Sequence, residues 1–178
     1  MKIVLVGMMG SGKSATARSV ARLLGWQVVD TDQLIRTRAG MTIPELFARD
    51  GEAGFRRHEV AAVHDALVAP GDAVVALGGG AITSAEVRTE LSAELTGGLA
   101  VAYLRTSAAE ILGRVGVGAG RPMLQPDPAA AVARLLAQRS HLYEAAATSV
   151  VDTDGHSIDE VAAAVVAAVG ESVVRRRP

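Results

Sequence analysis

The chain begins with a short apolar run that leads directly into a glycine-rich segment. Residues 3–6 read Ile-Val-Leu-Val, and residues 7–14 read GMMGSGKS, which fits the pattern G-x-x-x-x-G-K-[ST]. Helix-spaced apolar residues follow over 14–24, and Gly25 then provides a stop signal. In a strand–loop–helix context of this kind, backbone N–H groups and the helix N-terminus cradle phosphate. The segment therefore predicts a site for a nucleoside triphosphate and leaves the acceptor open.

Strands and helices are predicted to alternate along the whole chain. Five short runs are apolar throughout, which is typical of strands buried on both faces of a parallel sheet. The predicted strands are 3–6, 28–29, 74–77, 101–104 and 150–151, and the predicted helices are 14–24, 32–39, 52–67, 85–95, 108–115, 128–147 and 158–169. This alternation predicts a three-layer α/β fold. Because no linker interrupts it, residues 1–178 are expected to form one domain with its core over 1–170.

Composition excludes several classes of protein. Apolar residues make up 49% and charged residues 21%, which is typical of a soluble globular chain. A net charge of −1 and 3% aromatic residues do not favour nucleic-acid binding. The absence of cysteine excludes disulfides and thiolate metal sites, and no apolar run approaches the roughly 18 residues that cross a membrane. We therefore expect no nucleic-acid or membrane partners, and a frayed tail over 171–178 that contains Arg175–Arg177. We expect a cytoplasmic protein, because a protein that uses a nucleoside triphosphate needs a supply of nucleotide.

The segment Gly7–Ser14, called the phosphate loop below, suggests a role for each polar residue. Its glycines allow the backbone to turn tightly, so that N–H groups point at the β-phosphate. Lys13 is expected to reach the β- and γ-phosphates, and the Ser14 hydroxyl is expected to take one Mg²⁺ position. The alternative is a glycine-rich turn that carries Lys-Ser by chance.

A pair of acids follows the second predicted strand, in the order Asp30-Thr31-Asp32. In an open parallel sheet, ligands bind in the crevice at the carboxyl ends of the strands. One carboxylate could hold Mg²⁺ through a water while the other accepts a proton from a hydroxyl acceptor. The alternative is that Asp30 or Thr31 caps the helix predicted over 32–39.

Arg56 and Glu59 lie three residues apart in the helix predicted over 52–67, so they can pair on one face. A guanidinium fixed in this way suits bidentate capture of a substrate carboxylate, although an ordinary solvated helix face is the alternative. The run Gly78–Gly80 follows a predicted buried strand. Three glycines at a strand's carboxyl end indicate that something approaches the backbone closely, or else a flexible turn.

A second glycine-rich stretch, 116–122, ends in Arg121-Pro122 and precedes a helix that carries Arg139. Its glycine content predicts high mobility. A mobile loop bearing an arginine can neutralise charge on a γ-phosphate while it excludes water. We therefore expect a lid here.

Together these segments resemble the shikimate kinase family. The matching motifs occur in the family's order over residues 3 to about 152: the phosphate loop, D-x-D at Asp30–Asp32, F-R-x-x-E at Phe55–Glu59, G-G-G-A at Gly78–Ala81, R-P at Arg121-Pro122 and R-x-x-L-Y at Arg139–Tyr143. The resemblance implies a P-loop kinase fold with a five-stranded parallel sheet in the order 2-3-1-4-5. It also implies a shikimate-binding helical region at about 32–60, a lid at about 113–126 and a monomer.

The resemblance further implies ATP-dependent phosphorylation of the 3-hydroxyl of shikimate, in the pathway to chorismate and the aromatic amino acids. Asp32 would hold the substrate hydroxyls and act as base, with Lys13 and Arg121 stabilising the transferring group. The implied acceptor contacts are Asp32, Arg56, Gly78, Gly79, Gly80 and Arg139. The implied nucleotide contacts are Gly10, Ser11, Gly12, Lys13, Ser14, Ala15, Arg114 and Arg121, with Arg114 stacking on adenine. Ser14 and Asp30 would serve Mg²⁺.

Three alternative functions remain open at this point. A gluconate kinase-like enzyme would share the phosphate loop and the lid. An adenylate kinase-like enzyme would need room for a second nucleotide, which the run Gly78–Ala81 does not suggest. A catalytically silent nucleotide-binding module is disfavoured because Lys13, Ser14, Asp32 and Arg121 are all present.

Overall fold

The computed structural model describes residues 1–94, 98–115 and 127–174, and it shows one five-stranded sheet flanked by helices. The strands are β1 Lys2–Val6, β2 Gln27–Asp30, β3 Ala73–Ala76, β4 Leu99–Arg105 and β5 Ser149–Asp152. The helices are α1 Lys13–Leu24, α2 Thr31–Ala39, α3 Ile43–Val68, α4 Ala85–Glu94, α5 Ala108–Val115, α6 Pro128–Ala146 and α7 Ile158–Val174, with a 3₁₀ turn at Ala81–Thr83.

All neighbouring strands are parallel, in the order β2-β3-β1-β4-β5. Alternate residues of β1 divide the apolar side chains into two cores. Val4 and Val6 pack with residues of α3, α4, α5 and α6 on one face, while Ile3 and Leu5 pack with α1 and α7 on the other. The predicted three-layer fold and strand order are confirmed. Because the strands are parallel, the carboxyl ends of all five lie at the same edge of the sheet.

The two edge strands differ from the sequence prediction that all strands are buried on both faces. Central strands β1 and β3 are fully buried, but β2 and β5 are largely exposed or half-buried. Val28 and Val150 leave 39% and 43% of their surface exposed. An edge strand has a neighbour on only one side, so short apolar runs at this position do not require burial on both faces.

Helix α3 begins nine residues before its predicted start at Glu52. Thr42 and Glu45 form a reciprocal capping box, with Pro44 in the first turn, so a true helix N-terminus precedes Ile43. Gly51 has φ 67° and ψ −177°, which kinks the helix within its span. The pattern Thr-x-x-Glu is visible in the sequence and could have located this start.

Helices α2 and α3 enclose a small core of their own. Ile35, Leu46, Phe55 and Ala62 are buried together, and the Phe55 ring stacks on Phe47 with centroids 4.4 Å apart. This cluster supports the face of α3 that carries Arg56. The region predicted at about 32–60 to bind the acceptor is therefore a packed unit beside the edge of the sheet.

Several predicted features lie outside the described residues. These features are Arg121, Pro122, most of the lid predicted at 113–126, and Arg175–Arg177 in the predicted tail. Within the described ranges, no helix combines the length and apolar character required to cross a membrane.

Candidate active site

The phosphate loop leaves β1 at the carboxyl edge of the sheet and enters α1 through residues with positive φ. Gly10 and Gly12 have φ of 80° and 88°, in the left-handed region where L side chains are strained. The Ser11 N–H donates to Met8 O at 3.2 Å, which closes the turn. Because α1 begins at Lys13, the N-terminus of a twelve-residue helix faces the concave side of this loop.

Lys13 is buried, and its ammonium lies across the mouth of the loop. Its Nζ donates to Gly7 O at 2.9 Å and to Met8 O at 2.8 Å. These two carbonyls hold a positive charge at the place where the β- and γ-phosphates of a bound nucleotide are expected. Lys13 is thus held at the phosphate loop, and its contact with the phosphates stays a prediction.

Asp30 is a helix cap, as one of the two interpretations of the sequence expects, and it also contacts Ser14. One carboxylate oxygen accepts the Gln33 N–H at 3.0 Å, so Asp30 is the N-cap of α2. The other oxygen accepts the Ser14 hydroxyl at 2.5 Å. The cap therefore fixes Asp30 against the residue that follows Lys13, and the two oxygen ligands predicted for Mg²⁺ lie together.

Asp32 and Glu59 both approach Gly78 on the side where a side chain would stand. A Cβ at Gly78 would come within 2.5 Å of Asp32 Oδ1 and 3.0 Å of Glu59 Oε1. No side chain could occupy this position without displacing a carboxylate, so the close approach inferred from the glycines is real here. The D-x-D segment and α3 therefore meet at Gly78, two residues after the end of β3.

Arg56 is held against the glycine run, defined as Gly78–Gly80. Its guanidinium forms an ion pair with Glu59 and a second with Glu52 at 3.1 Å. Its side chain is 19% exposed, so the solvated-face alternative is wrong for this residue. A Cβ at Gly80 would collide with the Arg56 guanidinium. The guanidinium therefore lies directly over the glycine run.

Glu59 is a buried acid whose partner is Arg56. It is 3% exposed, and burial raises the pKa of its carboxyl, while the neighbouring Arg56 charge opposes that rise. The nearby Asp32 carboxylate raises the Glu59 pKa further, and the Arg139 guanidinium lowers it. Two acids and two arginines thus share one electrostatic environment, which brings together residues from α2, α3 and α6.

Arg139 and Tyr143, both on α6, contact the same carbonyl of the glycine run. Arg139 Nη1 donates to Gly79 O at 3.4 Å, and the Tyr143 hydroxyl donates to it at 2.5 Å. Both side chains are buried, and burial raises the pKa of Tyr143 to about 12. At neutral pH the phenol therefore keeps its proton and remains a donor.

The glycine run also packs directly on the phosphate loop. A Cβ at Gly79 would lie 3.2 Å from Met9 N and 3.4 Å from Gly7 O. The run continues into a 3₁₀ turn in which the Ala81 N–H donates to Gly78 O at 3.1 Å. The interpretation as an unconstrained flexible turn is therefore wrong, because the backbone is packed on several sides.

Arg114, predicted to stack on adenine, connects α5 to the loop after β5. Its guanidinium donates to Thr153 Oγ1 at 3.2 Å and to Thr153 O at 2.9 Å, while Glu110 accepts from its Nε at 2.9 Å. Thr153 in turn shares a hydrogen bond of 2.7 Å with Thr106 at the end of β4. Arg114 therefore lies at the carboxyl edge of β4 and β5.

Sequence reasoning did not predict the contacts of two residues near the glycine run. Thr31 was considered only as a possible helix cap, and Tyr143 only as part of a motif. In the structure, Thr31 Oγ1 accepts the Gly78 N–H at 2.9 Å, and Tyr143 binds Gly79 O. No local sequence signal identifies such contacts, because the partners are 47 and 64 residues away along the chain.

Comparison with known proteins gives consistent results. The family model for shikimate kinase matches residues 9–170. The shikimate kinase of Streptomyces coelicolor is 44% identical over 167 residues, covering 94% of each chain. A structure of shikimate kinase from Acinetobacter baumannii in complex with shikimate is 32% identical, with a TM-score of 0.88, and covers 99% of this chain and 95% of that one.

A more distant likeness bears on one alternative. A gluconokinase structure from Sinorhizobium meliloti has a TM-score of 0.64 and is 19% identical, covering 98% of this chain and 94% of that one. At this identity the likeness shows only a shared fold. The gluconate kinase-like alternative therefore receives no support beyond the architecture.

Proposed function

The chain belongs to the shikimate kinase family, and we propose that it transfers the γ-phosphoryl group of ATP to the 3-hydroxyl of shikimate. The products are shikimate 3-phosphate and ADP. The family model spans residues 9–170, and so it includes both the phosphate loop from Met9 onward and α6 with Arg139.

One observation carries the proposal: the residues Asp32 and Arg56 and the phosphate loop all contact the glycine run. Gly79 packs on the loop backbone at Gly7 and Met9, while the adjacent Gly78 packs on Asp32. The loop proposed to hold the γ-phosphate and the carboxylate proposed to hold the hydroxyl therefore contact adjacent residues of the glycine run. This proximity is what direct phosphoryl transfer requires.

Asp32 is proposed as the general base. Its carboxylate accepts the proton of the 3-hydroxyl as that oxygen forms a bond to the γ-phosphorus. The bond between this phosphorus and the β,γ-bridging oxygen breaks, and ADP leaves with the electron pair. Lys13, supported by the loop carbonyls, stabilises the negative charge on the transferring group.

Arg56 and Arg139 are proposed to bind the substrate carboxylate. Arg56 is fixed by Glu59, and Arg139 is fixed by Gly79 O, so neither guanidinium needs to be ordered when the acceptor binds. Their charges complement a carboxylate, while the backbone of the glycine run is proposed to contact the ring hydroxyls. A small hydroxylated acid fits a site that is cationic at one end and accepts protons at the other.

The polar residues at Ser14 and Asp30 fit a bound Mg²⁺ ion. The hydroxyl and the carboxylate lie 2.5 Å apart, and Mg²⁺ prefers a small number of protein oxygens together with substrate phosphates. When bound, the ion would neutralise charge on the phosphates. The backbone at Gly10, Ser11, Gly12 and Ala15 is proposed to complete the phosphate site.

Arg114 is proposed to stack on adenine, and Arg121, outside the described residues, is proposed to act on the transferring phosphoryl group. We also propose that residues 1–178 act as one monomeric P-loop kinase domain in the cytoplasm, with ATP and shikimate as partners.

The experiment that tests the function is a coupled ADP assay with a panel of acceptors. Purified protein with ATP and Mg²⁺ is expected to release ADP when shikimate is added, and to give only background release with gluconate, AMP or no acceptor. Turnover with gluconate or AMP in place of shikimate would contradict the proposal.

Replacing Arg139 by Ala is expected to raise the KM for shikimate about 10- to 100-fold, because a charge-assisted contact to the carboxylate is lost. The KM for ATP should change by less than about twofold. Arg134→Ala provides the control, since Arg134 is an exposed arginine on the same helix. An unchanged shikimate KM in Arg139→Ala would exclude this residue from the carboxylate site.

A further inference from the structure

We propose that two buried hydroxyls, Thr31 and Tyr143, are positioning residues that clamp the glycine run from two different helices. The inference deepens the proposed function and rests on it, because the clamp is assigned a part in acceptor binding. Thr31 begins α2 and Tyr143 lies on α6, and both are about 1% exposed. Both would act through the backbone of Gly78 and Gly79.

The Gly78 N–H, just beyond the end of β3, needs a hydrogen-bond acceptor that the sheet does not supply. Pairing between β2 and β3 ends at Asp30 and Ala76. The next N–H, that of Leu77, donates to Leu5 O on β1. Because successive N–H groups of a strand point to opposite neighbours, the Gly78 N–H faces the side of β2. There β2 has already turned into α2 and offers no carbonyl in register.

Thr31 meets this requirement. Its Oγ1 accepts the Gly78 N–H at 2.9 Å and donates to Ala76 O at 3.4 Å, so one hydroxyl extends the β2–β3 pairing by one step. Asp32 follows directly in the chain, and its carboxylate lies against the Gly78 Cα. The Thr31 contact therefore fixes the proposed base relative to the glycine run.

Tyr143 fixes the next peptide. Its hydroxyl donates to Gly79 O at 2.5 Å, and its ring stacks on Tyr103 with centroids 5.1 Å apart. The C=O and the following N–H of a trans peptide point in opposite directions. Holding the Gly79 carbonyl toward α6 therefore directs the Gly80 N–H away from α6, where it can donate to an acceptor hydroxyl.

The test removes each hydroxyl with little change in shape. Thr31→Val leaves a buried N–H without its partner and is expected to lower kcat/KM for shikimate about 10- to 100-fold. Tyr143→Phe should lower kcat/KM for shikimate by only about tenfold, because Arg139 still contacts the same carbonyl. The KM for ATP should stay within about twofold in both. Thr31→Ser keeps the hydroxyl and should recover activity to within about threefold of wild type.

Two matched controls separate positioning from general loss of buried hydrogen bonds. Thr148 Oγ1 makes the same kind of contact, to Val101 N and O, but at the amino-terminal edge of β5. Tyr103 is the equally buried partner of Tyr143 in the ring stack. Thr148→Val and Tyr103→Phe should therefore leave the kinetic constants for shikimate and ATP within about twofold of wild type.

A second measurement does not depend on turnover. Amide hydrogen exchange over residues 77–82 of the unliganded protein should accelerate about tenfold or more in Thr31→Val, and should also accelerate in Tyr143→Phe. It should not change in Thr31→Ser or in either control. Unchanged exchange, or equal losses for ATP and shikimate, would overturn the clamp. Absence of turnover with shikimate in the wild-type protein would contradict the proposed function. If exchange nevertheless rises only in Thr31→Val and Tyr143→Phe, the clamp of the glycine run is still supported.

Discussion

Asp32→Asn is expected to lower kcat with shikimate by about 10²- to 10⁴-fold while ATP still binds. The amide has the size of the carboxylate, so the packing of this side chain against Gly78 can persist. It cannot accept the hydroxyl proton as a carboxylate does. The result should therefore appear in kcat, with little change in nucleotide affinity measured by titration.

The control for this variant is Asp65→Asn on α3. Asp65 is 44% exposed and forms its ion pair with Arg38 on the surface. Exposed ion pairs contribute little to stability, so activity and Tm should both stay near wild type. Retention of more than about a tenth of wild-type kcat in Asp32→Asn would remove Asp32 from the role of base.

Lys13→Met is the second variant with a large expected effect. Loss of one preorganised donor to a developing anionic charge typically costs about 10²- to 10³-fold in kcat. Here the ammonium also bonds Gly7 O and Met8 O, so its removal takes two partners from the loop backbone. We expect kcat to fall by at least this amount, with weaker ATP binding as well, measured by the coupled assay and by nucleotide titration.

Lys2→Met is a matched control, because Lys2 is the chain's other lysine. It starts β1 at the edge of the sheet opposite the phosphate loop. Its side chain is buried, and among the described residues its Nζ has no hydrogen-bond partner. Replacing a buried, unpartnered ammonium by an apolar group should leave turnover unchanged and should not lower the Tm. A loss of activity in Lys2→Met equal to that in Lys13→Met would contradict a specific role for Lys13.

Residue spacing alone predicts the ion pair at Glu59 but not its burial. Arg56 and Glu59 are one helical turn apart, so their pairing could be predicted locally and is present in the structure. Their burial could not be predicted in this way. It results from packing of α3 against the glycine run, and it is burial that raises the Glu59 pKa.

The helix that carries this pair was predicted only in part. Its second half was identified from helical spacing, whereas its start at Ile43 was missed although Thr42 and Glu45 form a capping box that the sequence displays. The kink at Gly51 explains the difficulty, because it interrupts the regular period on which the prediction depended.

The sequence by itself determined the phosphate loop, the alternation of strands and helices, and the glycines that permit close approach. These features depend on neighbouring residues, through backbone freedom and apolar periodicity. Only the tertiary structure decided that Asp32 and Glu59 meet beside Gly78, and that Thr31 and Tyr143 form hydrogen bonds to the glycine run. Those contacts join residues tens of positions apart, and parallel strand order, which no local pattern encodes, brings them to one edge of the sheet.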